Sequence, residues 1–100
     1  MSAESFAKAV DRVLTQVSHW EQPRWSAGNP AKADLVHGLI QRIADLGADA
    51  ENRPHRQVPH LSDLILRDQL RVVADDLLAA APEAQLSRAA DDVATVRRTL

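Results

Sequence analysis

Four stretches of the chain carry apolar residues at alternating spacings of three and four, and no polar side chain interrupts any of them. The first is Phe6, Val10, Val13, Val17 and Trp20, and the second is Val36, Leu39, Ile43, Leu46 and Ala50. The third is Leu66, Leu70, Val73, Leu77 and Ala80, and the fourth is Leu86, Ala89, Val93, Val96 and Leu100. Residues three and four apart are neighbours on a helical turn, so each stripe predicts the buried face of an amphipathic helix. Four such helices in 100 residues predict an all-α, single-domain, antiparallel four-helix bundle spanning residues 1–100.

Local signals set the expected boundaries. Ser2 is a good N-cap for the first helix, and Glu4 places a carboxylate in the first turn, where the helix dipole favours it. This helix is expected to run to about Trp20, and the segment from Glu21 to Asn29, with Pro23 and Gly28, reads as a loop. Asn29 and Pro30 then read as N-cap and first residue of the second helix, which continues to about Asn52 and stops at Arg53-Pro54. Leu35 and Ile40 widen its apolar face. Gly47 sits beside the seam and costs about 1 kcal/mol relative to Ala unless a neighbouring helix uses the space.

The connection from Arg53 to Ser62 is long for a small bundle and therefore a place to look for function; its Val58 and Leu61 predict that it is pinned to the helices. Ser62 is the expected N-cap of the third helix, and Ala81-Pro82-Glu83 closes that helix and opens the fourth. The third helix carries an additional apolar face, Ile65, Val72 and Ala79, with Leu78 beside it. An isolated monomer has no use for such a face. Val58 and Leu61 are expected to cover its Ile65 end, and another copy of the chain, about a twofold axis, its Val72 and Leu78 end.

Composition changes this picture in three ways. Only Phe6, Trp20 and Trp25 are aromatic, so the core is built from Leu, Val, Ile and Ala, and the modest burial this allows leaves dimerisation open. A net charge of −2 lacks the basic excess that drives phosphate binding, and aspartates on the exposed faces of the last two helices would repel a nucleic-acid backbone. No cysteine is present, which removes disulfides and thiol chemistry and fits a cytoplasmic protein. Glu4, Lys8, Asp11 and Arg12 break up the first stripe's surroundings as no signal peptide would, and no apolar run reaches the roughly 20 residues of a membrane span.

The polar residues offer little chemistry. Asp75, Asp76, Asp91 and Asp92 fall on or near the faces opposite the core, where nothing would desolvate a carboxylate. Asp34 and His37 have the i, i+3 spacing of the Glu-x-x-His unit of di-iron bundles, but such sites need that unit twice plus two further inward Glu residues, and no second copy is present. His19 and His37 are expected near one end of the bundle, with His55 and His60 beyond the other, on the order of 20 Å away at 1.5 Å per residue. Only a connection folded back along the bundle would bring all four together. Trp20 is expected to close the core and Trp25 to cover the bundle end; exposed instead, Trp25 with Arg24 would be an interface anchor. Arg53 and Arg56, with His55 and His60, make the connection locally basic. Phosphate-binding glycine loops, nucleophile elbows and zinc-protease motifs do not occur.

The stretches Ala33–Leu46 and Val58–Leu77, with the paired tryptophans, resemble a group of small uncharacterised actinobacterial all-helical proteins. The preference for Ala, Arg and Asp over Lys and Glu suits a high-GC genome. The resemblance implies an origin and no activity.

The expected function is that of a non-catalytic protein-interaction module, forming a homodimer or joining a protein partner. No catalytic residue, cofactor, metal, nucleic acid or membrane enters this reading. Its surface would draw on Arg24, Trp25, Arg53, Arg56, Ile65, Val72 and Leu78. The alternative is a small-ligand or metal-binding bundle enzyme using His19, His37, His55 or His60.

Overall fold

A computed structural model describes residues 2–100. Their order is α1 (Ser2–Val17), α2 (Gln22–Ser26), α3 (Lys32–Ala50), a 3-10 turn (Asp63–Ile65), α4 (Leu66–Ala80) and α5 (Glu83–Thr99). The structure is all-helical, with no strand among the described residues. It has one more helix than the stripes predict.

Helix α1 begins at Ser2, which is therefore a helical residue and not the cap. Its backbone N–H donates to Glu83 Oε2 at 3.1 Å, so a carboxylate from α5 satisfies an amide that would otherwise lack a helical acceptor. That hydrogen bond holds the Glu83 carboxyl below its usual range. The helix stops at Val17, where the Ser18 hydroxyl donates back to the Thr15 carbonyl at 2.9 Å and competes with the helical pattern. Trp20 is buried from a turn beyond the helix end.

The segment expected as a loop contains α2. Pro23 lies in its first turn, where a missing N–H costs nothing, so it helps start this helix, while α1 has already ended at Val17. Between α2 and α3 the Lys32 N–H donates to the Ala27 carbonyl at 2.9 Å and closes a turn around Gly28, Asn29 and Pro30. Gly28 has φ +95°, and a Cβ there would lie 3.0 Å from the Pro30 carbonyl oxygen. This closed turn delays α3 to Lys32, two residues after the expected start.

Helix α3 ends in a Schellman motif. Asn52 takes φ 56°, the Arg53 N–H reaches the Ala48 carbonyl at 2.7 Å, and the Asn52 N–H reaches the Asp49 carbonyl at 3.1 Å. Its buried face is Ala33, Val36, Leu39, Ile40, Ile43, Gly47 and Ala48, as wide as Ile40 predicts but turned at the C-terminal end away from Leu46 and Ala50. A straight helix drifts about 20° per heptad against a strict seven-residue stripe, which moves burial from position 46 to 47. Ser62 caps as expected, its hydroxyl accepting the Leu64 N–H at 3.3 Å, but it opens the 3-10 turn that leads into α4.

None of the twenty stripe residues is exposed, although Ala50 and Ala80 do not pack on the core. Leu46, Ala50, Val73, Ala80 and Leu100 are half-buried and the other fifteen are buried. α1 packs most extensively on α5, and α3 on α4, around one apolar core that includes Trp20 and Trp25. No polar or charged residue is buried among the described residues. Two ion pairs cross between helices at the surface: Arg42 to Asp92 at 2.7 and 3.1 Å, and Arg71 to Asp11 at 2.9 Å. Asp92 is thus engaged by α3, contrary to the expectation of a free solvated carboxylate. Exposed pairs of this kind contribute about 0 to 1 kcal/mol, so the apolar core dominates.

Candidate functional site

Polar residues recur on α3 every four positions, at His37, Gln41, Asp45 and Asp49, and so form a row along one face of the helix. The chain after α3 turns back and lies along that row. His55 Nε2 meets Asp49 Oδ1 at 2.7 Å, and its Nδ1 lies 3.8 Å from Asp45 Oδ1. Gln41 donates to the Arg56 carbonyl at 3.0 Å and accepts the Val58 N–H at 2.7 Å. His37 Nε2 donates to the Val58 carbonyl at 2.9 Å. From α4, Gln69 donates to the Pro59 carbonyl at 3.0 Å. Residues 53–60 form a strap whose backbone is held by side chains, because it belongs to no helix that could hold it.

The returning strap corrects the expected distribution of the histidines. His60 stacks on His37 with ring centroids 4.7 Å apart and planes 13° apart. His60 Nε2 also meets Asp63 Oδ1 at 2.7 Å, while the other oxygen of Asp63 accepts from Gln22 of α2 at 2.7 Å. The hydrogen bond from Gln22, reinforced by His60, holds the Asp63 carboxyl below its ordinary range. His55 remains with Asp45 and Asp49, and His19 stays beside Ser18 at the end of α1. The four therefore occupy three places. Among the described residues no three His, Cys, Asp or Glu side chains gather as a metal-binding group.

Strap closure has a pH signature. The hydrogen bond to Asp49 raises the His55 pKa above its ordinary value, so the folded state holds that proton more tightly than the unfolded chain does. The resulting stability is fully present below about pH 6.5 and is lost as pH rises through the elevated folded value. Urea midpoints compared at about pH 5.5 and about pH 8 should fall more for the wild type than for His55→Asn. Equal falls in both proteins would remove His55 from the pH response.

A cleft of about 260 Å³ lies beneath the strap, between α3 and α4. Ile43, Ala44, Gly47 and Ala48 of α3 and Val73 of α4 form its walls, with Val58 and Pro59 of the strap above. The exposed Arg53, Arg56 and Asp76 also line it, with Pro54 and Gln57 of the strap. Arg53 is paired with Glu51, whereas Arg56 and Asp76 have no ion-pair partner among the described residues. The basic patch expected on the connection is thus reduced to one uncompensated arginine.

Two further expectations change. Trp25 is 2% exposed and meets Trp20 edge-on, with centroids 5.0 Å apart, so it belongs to the core and cannot anchor a partner. Arg24 remains at the surface, its guanidinium 5.2 Å from the Trp20 ring centre. Leu78 is half-buried against the core and leaves the outer face, and Ile65 is also half-buried. The strap covers less than expected: Val58 packs on the core, but Leu61 is 76% exposed. Leu64 at 57% and Val72 at 59% are the other large apolar residues facing solvent among the described residues. Leu64 escapes a reading by stripes because it precedes the helical frame that starts at Leu66; its only sequence signal is that it lies off that frame.

No helix among the described residues is long and apolar enough to cross a membrane. Comparison with protein-family models, with curated proteins and with solved structures returns no match. The class defined by the fold is a small all-helical protein with a polar-anchored strap over an apolar cleft.

Proposed function

We propose that this chain is a non-catalytic, cytoplasmic interaction module of the actinobacterial type, an antiparallel four-helix bundle with α2 as an added cap, whose partner is another copy of itself. The observation that carries this reading is the exposure of Leu61, Leu64 and Val72 on the strap end, the 3-10 turn and α4. A stable interface takes about 800 Å² from each partner, more than three side chains supply, so the rest of the outer face of α4 would have to take part. That face carries Arg67, Asp68, Arg71 and Asp75, charges of both signs that suit contact with an identical surface. An enzyme built on His19, His37, His55 and His60 has less support, because these residues lie in three separate places.

Val72→Glu is the test. Val72 is more than half exposed, so the change should leave helicity by circular dichroism intact while converting a concentration-dependent dimer to a monomer in sedimentation. A wild-type chain that stays monomeric at high concentration would end the proposal.

A further inference from the structure

Gly47 lies in the interior of α3, where glycine is a poor helix former, yet a Cβ built on it would meet no atom within 4 Å. No neighbouring helix uses the room that its missing side chain leaves. That room opens into the cleft of about 260 Å³ under the strap. An apolar cavity of about 150 Å³ is enough to hold a benzene molecule, so this cleft takes one ring or one branched aliphatic chain with a small polar head.

The apolar lining selects the body of the ligand and the charged lining its head. Ile43, Ala44 and Val73 offer only hydrocarbon. Arg56 on the strap and Asp76 on α4 also line the cleft, exposed and oppositely charged on separate elements, neither of them ion-paired among the described residues. A fatty acid would engage only Arg56 and an apolar amine only Asp76. A zwitterion matches both. The strap's Val58 is already fixed by Gln41 and His37, so the cleft exists before any ligand arrives.

We infer that the cleft between α3, α4 and the strap binds a free apolar α-amino acid, with its side chain over Gly47, its carboxylate on Arg56 and its ammonium on Asp76. The probe is L-phenylalanine, compared with hydrocinnamate, which lacks the amine, and phenethylamine, which lacks the carboxylate. Amide chemical shifts of the full chain would be followed up to about 10 mM, enough to approach saturation for a Kd of about 1 mM. Phenylalanine should shift Gly47, Val58 and Val73 saturably and bind roughly tenfold more tightly than either analogue, as expected for one charge-assisted hydrogen bond. Arg56→Gln should bring phenylalanine down to the affinity of phenethylamine, and Asp76→Asn to that of hydrocinnamate. Gly47→Leu should abolish binding while the urea midpoint holds or rises, which separates a filled cleft from an unfolded chain. Absence of saturable shifts, shifts that survive Gly47→Leu, or an analogue that binds as well as phenylalanine would each overturn the assignment.

Discussion

Leu70→Ala should destabilise the protein by about 2 to 5 kcal/mol, a large part of the roughly 5 to 15 kcal/mol that holds a small domain folded. Leu70 lies in the middle of α4, fully buried in the common core. Truncating it removes the transfer energy of the lost carbons and leaves a cavity that packed helices close only in part. Asp91→Ala is the matching control, because the Asp91 side chain is exposed and only its backbone carbonyl is engaged, by Thr95. It should change stability by less than about 0.5 kcal/mol. Urea unfolding of both variants under one set of conditions makes the comparison. Similar losses at the two positions would mean that the buried and exposed faces of these helices have been exchanged.

Trp25→Ala should cost about 3 to 5 kcal/mol, although it lies in a helix of five residues. Trp25 is the largest fully buried side chain and the only buried residue of α2, so the helix has no other apolar hold on the rest of the molecule. Its edge-on contact with Trp20 adds about 0.5 to 1.5 kcal/mol beyond the area buried. Loss of Trp25 should also release Gln22 from Asp63, and with it the main cause of that carboxyl's lowered pKa. Thermal melts give the stability, and amide exchange across residues 21–31 gives the local effect. A loss below about 1 kcal/mol, or exchange unchanged in that segment, would show that α2 is not docked through this ring.

The two substitutions probe parts of the fold that were unequally legible. Leu70 sits on a stripe, and its burial follows from spacing alone. Trp25 sits between two stripes, beside a proline that reads equally well as a helix stop or a helix start. Burying its ring required a surface made by Trp20, α3 and the 3-10 turn together. The same holds for Leu78 and Leu61. Leu78 lies beside the outer face of α4 yet packs on the core, whereas Leu61 has the character of a cover yet faces solvent.

The candidate cleft was legible only in fragments. Gly47 marked a costly position, and the row His37, Gln41, Asp45 and Asp49 was present at its helical spacing. Nothing local linked that row to residues 55–60. The spacing of apolar residues was enough to assign most of the inward-facing positions on the long helices and most of their ends, because burial needs only a repeating pattern and helix ends carry their own caps; Ala33, Gly47, Ala48 and Ala74 are buried off the stripes. The tertiary structure decided the path of the strap, the stacking of His60 on His37 and the open space at Gly47. A backbone outside any helix must find hydrogen-bond partners elsewhere, and which distant side chains supply them is settled only when α3, α4 and the strap lie side by side.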